Sequence, residues 1–192
     1  MLVNVFQLNL RTAEVAMKYN KSLAAQTFKD GSFKDKEGNS WNIKFDIKYE
    51  YKDKIDVKDL KSGENILKLN KELAVNGSYA SVSLGADNAL HRNIGALDPS
   101  QNGTTALVHE TGHFIGLIDR YTDIPGGKKS DAHKGYENDI MGSGAPHMVQ
   151  EHYDDFANLA LEQLRNGNTT FVITNYFDRN RKSNVKKDET KQ

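Results

Sequence analysis

The clearest pattern of hydrophobic and polar positions in the chain lies between Trp41 and Tyr51. Every second residue there is hydrophobic, and Asn, Lys, Asp or Glu stands at each position between. Because successive side chains of a strand point to opposite faces, this alternation over 41–51 predicts a strand with one buried face. A second strand, rich in small residues, is predicted at 78–84, and a third at 169–177, where Thr, Val, Ile, Tyr and Phe cluster.

Two segments carry apolar residues at helical spacing and predict amphipathic helices, residues 12–28 and residues 151–165. The predicted apolar faces consist of Val15, Tyr19, Leu23 and Phe28 in the first helix and Tyr153, Phe156, Leu159, Ala160 and Leu164 in the second. Residues 3–10 and 55–76 fit either a strand or a helix. Strands and helices in this mixture predict an α/β or α+β fold class.

Segments rich in Gly, Pro, Asn and Asp predict three loops, at 30–40, 85–103 and 119–150. Between the last two loops a further helix is expected, because Thr104 or Thr105 can cap its start. This helix is predicted to run to about Leu117. The polar and basic residues 178–192 predict a disordered tail.

Composition narrows the range of functions. The 192 residues, of which 37% are hydrophobic and 27% charged, suit one globular domain. Lys plus Arg equals Asp plus Glu at 26 each, so the net charge does not favour binding to nucleic acid or to an anionic membrane. The absence of cysteine excludes disulfides and thiolate chemistry. The sequence shows no apolar run long enough for a membrane span, and no secretory signal peptide is predicted at its start.

The residues that carry chemistry lie in the helix predicted to begin at Thr104 or Thr105. His109 and His113 are four positions apart, which places both imidazoles on one helical face, where they can bind one ion. Glu110 then lies beside the ion, near a bound water molecule. Gly116 can adopt a positive φ and end the helix, so the chain can double back and supply Asp119 as a third ligand. Two imidazoles and a carboxylate leave the fourth zinc position open, as catalysis requires.

This string resembles the signature of the metzincin zinc metalloproteases, HExxHxxGxxH, with Asp in place of the third His. It is more similar still to the snapalysin-like peptidases, which read HETGHxxGLxDxY, because residues 109–121 read HETGHFIGLIDRY. The segment DIMGSG at 139–144 resembles the metzincin Met-turn, with Met141 as its methionine. The resemblance covers residues 104–144.

The resemblance implies a single metalloprotease domain over residues 1–177, with an upper lobe (1–118) and a lower lobe (119–177) separated by a cleft. The upper lobe is expected to be a twisted mixed sheet, backed by the first amphipathic helix and floored by the helix that carries the histidines. The strand at 78–84 is expected at the cleft-side edge, where it can pair with an extended substrate. The lower lobe would hold the Met-turn and the second amphipathic helix. The strand at 169–177 departs from the many metzincins that end near such a helix, and it leaves the lower-lobe topology open.

The resemblance also implies roles for individual residues. Glu110 is expected to be the general base of a zinc endopeptidase. Tyr121 is a candidate donor to the developing oxyanion, with a packing tyrosine as the alternative interpretation. Met141 is expected in the core beneath the zinc ion, and His147 is a candidate substrate-binding residue beside the scissile bond.

The remaining polar residues give weaker signals. The histidines without a partner at ligand spacing, which are expected at the surface or in hydrogen bonds rather than as ligands, are His91, His133, His147 and His152. Four residues in loops could hold a structural calcium ion, but solvated turns are the preferred interpretation, and these are Asp98, Asn102, Asp131 and Asp139.

Two other functions stay open at the level of sequence. One is a peptidase-like toxin or effector with a single narrow protein target. The other is a binding module that holds zinc without turnover, against which Glu110 argues, because a pure binding site needs no general base. The main interpretation expects a monomer that acts on a protein or peptide and is secreted or delivered outside the producing cell.

Overall fold

The structure, a computed structural model, describes residues 2–5, 10–52, 64–70, 72, 74, 79–84, 90–101, 104–124 and 130–166. The strand predicted at 169–177 and the tail predicted at 178–192 lie outside these residues. Within the described part of the chain, no helix has the length and apolar character needed to cross a membrane.

The described elements form a mixed α/β fold. In chain order they are β1 (Leu2–Val5), α1 (Leu10–Thr27), β2 (Gly31–Lys34), β3 (Ser40–Ile43), β4 (Lys48–Tyr51), β5 (Glu64–Leu69), β6 (Tyr79–Leu84), β7 (Leu90–Leu97), a 3-10 turn (Pro99–Gln101), α2 (Thr105–Phe114), β8 (Tyr121–Asp123), β9 (Ser130–Ala132) and α3 (Gln150–Arg165). Five strands build the main sheet in the order β4-β1-β5-β7-β6. The pairs within β4, β1, β5 and β7 are parallel, whereas β6 is antiparallel to β7 and forms an edge.

The alternating segment 41–51 forms two strands in two different sheets rather than one strand. β3 pairs with β2 in a hairpin, β4 pairs with β1 in the main sheet, and residues 44–47 join them. The alternation of exposure continues through the break, since Phe45 and Ile47 are half-buried and Lys44 and Asp46 are exposed. The pattern therefore predicted the buried face correctly but not the change of pairing partner.

The prediction of a loop over residues 85–103 is wrong at its centre. Residues Leu90–Leu97 form β7, which lies inside the sheet between β5 and β6. Gly95, Ala96 and Leu97 are buried there, and α2 packs against the same strand. Pairing on both sides and cover by a helix thus override the weak strand propensity of Asn and Gly.

The helices lie close to their predicted positions, but their buried faces differ in part from the prediction. In α1 the buried side chains include Leu23 and Ala24, whereas the placement of Tyr19 on the buried face is wrong, because it is 49% exposed. In α3 Tyr153 is buried and Phe156 packs against the core. Leu164, near the end of the helix, is 45% exposed, so its predicted place on the apolar side is also wrong.

The core lies between the sheet, α1, α2 and the segment before α3. Its fully buried members include Leu67, Leu97, Leu107, Val108, Leu117, Ile140 and Met141. Tyr49 of β4 adds a polar contact to α2. Its hydroxyl lies 2.8 Å from Oγ1 of Thr111, and because that oxygen already donates its proton to the Leu107 carbonyl, Tyr49 is the donor. The helix that carries the histidines is therefore fixed to the sheet by packing and by a buried hydrogen bond.

The β2–β3 hairpin packs against α3 and so joins the early part of the chain to its last described helix. Phe33 stacks on Tyr153 with ring centroids 4.0 Å apart. The hairpin turn is organised by Asp35, a buried carboxylate that accepts hydrogen bonds from Trp41 Nε1, the Asn39 side chain and two backbone amides. Burial alone would raise the pKa of Asp35, but these donors outweigh it and lower the pKa to about 2.

Candidate metal centre

The helix α2 begins where the sequence predicts, and the predicted reversal at Gly116 follows it. Thr104, in extended conformation, is the N-cap, and its side chain accepts a hydrogen bond from the amide of Ala106. At the other end Gly116 has φ +94°, a left-handed conformation that glycine adopts without strain, and the amide of Leu117 returns to the Gly112 carbonyl at 2.9 Å. The helix therefore stops at Phe114, slightly earlier than predicted, and the chain reverses directly after it.

The two histidines of α2 are oriented by backbone carbonyls. Nδ1 of His109 lies 2.8 Å from the carbonyl oxygen of Ile140, and Nδ1 of His113 lies 2.9 Å from that of Leu117. A carbonyl only accepts, so Nδ1 is the protonated nitrogen of each ring and Nε2 is left with its lone pair. This is the arrangement found in metal-binding histidines, where a hydrogen bond at one nitrogen fixes the tautomer and frees the other for the ion.

The reversal at Gly116 brings Asp119 to the same point. Its Oδ1 lies 3.1 Å from Nε2 of His109 and 3.3 Å from Nε2 of His113. Two ligands bound 2.0–2.1 Å from a tetrahedral ion are separated by about 3.3 Å, so both observed distances suit such an ion. His109, His113 and Asp119 form a group that could hold a metal ion, and their candidate ligand atoms all lie within 4.8 Å of one another.

The electrostatics of this cluster favour a positive charge. Burial alone would raise the pKa of Asp119, but its interactions with the rings of His109 and His113, which stabilise the ionised carboxylate, hold the pKa well below its usual range. Burial alone would lower the pKa of His109, but Asp119, the Ile140 carbonyl and the charge of Glu110 together raise it. The surroundings of His109 thus attract positive charge to its ring, which a divalent cation can supply.

Glu110 is the buried carboxylate beside this cluster. Its side chain is 4% exposed, and its Oε2 has no hydrogen-bond partner among the residues that the structure describes. Burial raises the pKa of Glu110 above its usual value, while His113 and His109 oppose that change. A carboxylate that is desolvated and unpaired is a stronger proton acceptor than one in water, as a general base requires.

A cleft of about 420 Å³ opens beside the metal-binding group. It runs between the first turn of α2 and the segment after Met141, and its lining includes His109, Glu110, Tyr121, Ser130 and Gly144. The ring of Tyr121 lies 6.0 Å from that of His109, centroid to centroid. Burial, followed by the charges of Asp119, Asp123 and Glu110, raises the pKa of Tyr121, so its phenol keeps its proton and can donate it in a hydrogen bond.

Met141 lies in the core against α2, at the position between the two histidines. It is fully buried, and its Sδ occupies the space that a side chain at Gly112 would need. The Met141 carbonyl accepts a hydrogen bond from the amide of Arg120 at 2.8 Å, which ties this segment to the residue after Asp119. The segment 139–144 therefore supports both the helix and the third candidate ligand from one side.

Replacing Gly112 with Ala is expected to destabilise the protein by about 1–3 kcal/mol, because the added methyl group would collide with Sδ of Met141. Denaturant unfolding of the variant measures this cost. The double variant Gly112→Ala with Met141→Ala should lose less stability than the sum of the two single variants, since the smaller side chain makes room. Strictly additive losses would show that the two residues are not in contact.

The other sequence candidates lie away from this centre. His133 is exposed and hydrogen-bonds Thr122, as expected for an uncoordinated histidine. His147 is exposed on the segment before α3. Its carbonyl accepts a hydrogen bond from the amide of Ile140, and its side chain is not among the described residues that line the cleft.

Two further candidates lie in or directly after β7. His91 belongs to the strand itself, and its side chain is not among those that the structure describes. Asp98 accepts hydrogen bonds from the amide and hydroxyl of Ser100 within its own turn.

Sequence reasoning missed the role of Asp139 and His152. The preferred interpretation of Asp139 as part of a solvated turn is wrong, because its side chain is fully buried and accepts three hydrogen bonds, one of them from His152. His152 is also fully buried. The available signal was that His152 lies four positions before Phe156 on the apolar side of α3, where a histidine needs a polar partner.

Comparison with known proteins found no match: no protein family, no curated protein and no solved structure matches this chain. The function must therefore be argued from the geometry of the centre.

Proposed function

We propose that this chain is a zinc-dependent endopeptidase of the metzincin type. The observation that supports the proposal is the meeting of two imidazole Nε2 atoms and one Asp119 oxygen at 3.1–3.3 Å, beside the buried Glu110 carboxylate, whose Oε2 has no partner among the described residues, at the edge of a cleft. A binding site without turnover has no need for Glu110, and burying its Oε2 without a hydrogen-bond partner among the described residues costs free energy.

The wider architecture supports the same proposal. A mixed sheet packs against the helix with the histidines, its antiparallel edge strand β6 contacts that helix, and a buried methionine lies against the helix at Gly112. An exposed sheet edge can bind an extended peptide by adding it as a further strand. In the proposed enzyme β6 aligns the substrate along the cleft, with the scissile bond next to His109 and Glu110.

The proposed mechanism is hydrolysis by an activated water molecule. A bound zinc ion would supply a lowered water pKa and a polarised substrate carbonyl. Glu110 accepts a proton from the attacking water and delivers it to the leaving amine nitrogen. Tyr121, protonated and at the rim of the cleft, donates a hydrogen bond to the oxygen on which negative charge develops. His109, His113 and Asp119 would hold the ion.

Metal analysis and a peptide-library assay on the purified full chain test the proposal. We expect one zinc ion per chain, cleavage within extended peptides, loss of cleavage after chelation, and recovery when zinc is added back. Cleavage of a single peptide sequence, with casein left intact, would favour the narrow-target effector. Zinc binding without cleavage of any library peptide or of casein would favour the binding module, and a chain that binds no zinc would end the peptidase proposal.

A further inference from the structure

A buried polar pair connects α3 to the segment beneath the metal centre. Oδ1 of Asp139 accepts hydrogen bonds from the Met141 amide at 2.8 Å and from Nε2 of His152 at 3.1 Å. Oδ2 accepts from the Val149 amide at 2.8 Å. One carboxylate thus closes the segment 139–149 on itself and fastens it to the first turn of α3.

The residue that this carboxylate holds in place is Ile140. The Ile140 amide donates to the His147 carbonyl at 2.8 Å, and the Ile140 carbonyl accepts from Nδ1 of His109 at 2.8 Å. Two hydrogen bonds therefore fix the backbone around Ile140. The Asp139 side chain bonds the Met141 amide on the far side of Ile140, and the Ile140 amide itself bonds the His147 carbonyl. Movement of this peptide would rotate the ring of His109 and displace its Nε2.

We infer that Asp139 and His152 are positioning residues of the metal centre, which act through the Ile140 carbonyl to hold His109 in its metal-binding orientation. This inference rests on the metal-binding part of the proposed function. A partner hydrogen-bonded directly to a metal ligand changes metal affinity by about 10- to 100-fold when it is removed. Asp139 bonds the Met141 amide and His152 bonds Asp139, one and two steps further from His109, so the lower end of that range is expected.

Packing alone does not explain why Asp139 and His152 are buried together. Both side chains are fully buried, and Nδ1 of His152 has no hydrogen-bond partner among the described residues. Apolar residues of similar size would avoid that desolvation cost. Burial alone would raise the pKa of Asp139, but the hydrogen bond from His152 and those from Val149 and Met141 hold it below its usual value, so the carboxylate stays ionised and can accept from all three.

The test compares variants that remove or retain the donor to Asp139. His152→Gln keeps an amide nitrogen near the position of Nε2, whereas His152→Asn has a shorter side chain that does not reach Asp139. Asp139→Asn replaces one accepting oxygen with a donor that faces an N–H group. The matched control is Asp35→Asn, which alters a buried carboxylate with comparable hydrogen bonds in the β2–β3 hairpin. Zinc affinity by chelator competition and apo-protein unfolding are measured for each full-length variant.

We expect zinc affinity to fall by about 10-fold in Asp139→Asn and His152→Asn and to stay close to wild type in His152→Gln. Asp35→Asn should lose stability but keep its zinc affinity. Equal affinity losses in Asp35→Asn and Asp139→Asn, or no difference between His152→Gln and His152→Asn, would overturn the inference. Should His152→Asn not fold, the comparison of Asp139→Asn with Asp35→Asn decides it. If the wild-type protein binds zinc but cleaves nothing, only the peptidase proposal fails, because zinc affinity still tests the positioning role. If the wild-type protein binds no zinc, the peptidase proposal and the positioning role both fail.

Discussion

Glu110→Gln is expected to retain zinc and to lower kcat/KM for peptide cleavage by about 10²- to 10⁴-fold, the range that general acid–base catalysis contributes. Glutamine has nearly the same shape, so it can occupy the same buried position beside His109 and His113. It cannot accept a proton from water at neutral pH. The loss should therefore appear in kcat more than in KM, because in the proposed mechanism Glu110 acts on the water rather than on the bound peptide.

Two control measurements are needed to interpret the Glu110→Gln result. Zinc content must equal that of wild type, since a variant that had lost the ion would be inactive for another reason. Glu72→Gln is the matched control, because it makes the same chemical change at an exposed site in the turn after β5, and it should leave kcat/KM unchanged. Wild-type turnover by Glu110→Gln would remove Glu110 from the mechanism.

The candidate centre could be predicted from the sequence because local rules place its residues. Helical spacing brings His109 and His113 to one face whatever surrounds the helix. The positive φ of Gly116, observed at +94°, reverses the chain at a fixed distance from them. Asp119 follows three positions later, so its oxygen has little freedom to lie elsewhere. Each step spans only a few residues and needs no knowledge of the rest of the fold.

The sheet could be predicted only in part because its order depends on long-range pairing. β7 is a strand because β5 and β6 lie on either side of it, and nothing in the local sequence of Asn and Gly residues specifies those neighbours. The break at residues 44–47 separates β3 and β4 in the same way, since each pairs with a strand distant from the other. The periodicity of hydrophobic residues indicates which face of a strand is buried, but it does not indicate which strand is its pairing partner.

The pairing of Asp139 with His152 was beyond sequence reasoning for a related cause. The two residues are joined across a loop without regular structure, and no spacing rule connects them. A motif identifies the residues that touch the ion, because chemistry restricts their type and spacing. The groups that orient those ligands are restricted only by position in space, so the structure is needed to find them.

Asp119→Ala is expected to abolish cleavage, because it removes one of the three proposed zinc ligands. Zinc affinity should fall by more than the factor of about 10 to 100 that is typical of losing an outer partner. Asp119 is the one candidate ligand in this group that lies outside α2. Its side chain is 46% exposed, so apo-protein stability should change little. That contrast separates loss of the ion from loss of the fold. Wild-type zinc affinity in Asp119→Ala would remove this carboxylate from the ligand set.

Asp119→His makes the opposite test, since it replaces the carboxylate with an imidazole and keeps three ligands and one open position. Zinc binding should be retained, although the larger ring must fit where Oδ1 now approaches both Nε2 atoms. A neutral ligand leaves more positive charge on the ion, which lowers the pKa of its water. The acidic limb of the kcat profile should therefore move to lower pH relative to wild type. An unchanged limb in a zinc-loaded, active variant would show that the charge of Asp119 does not set the acidity of the attacking water.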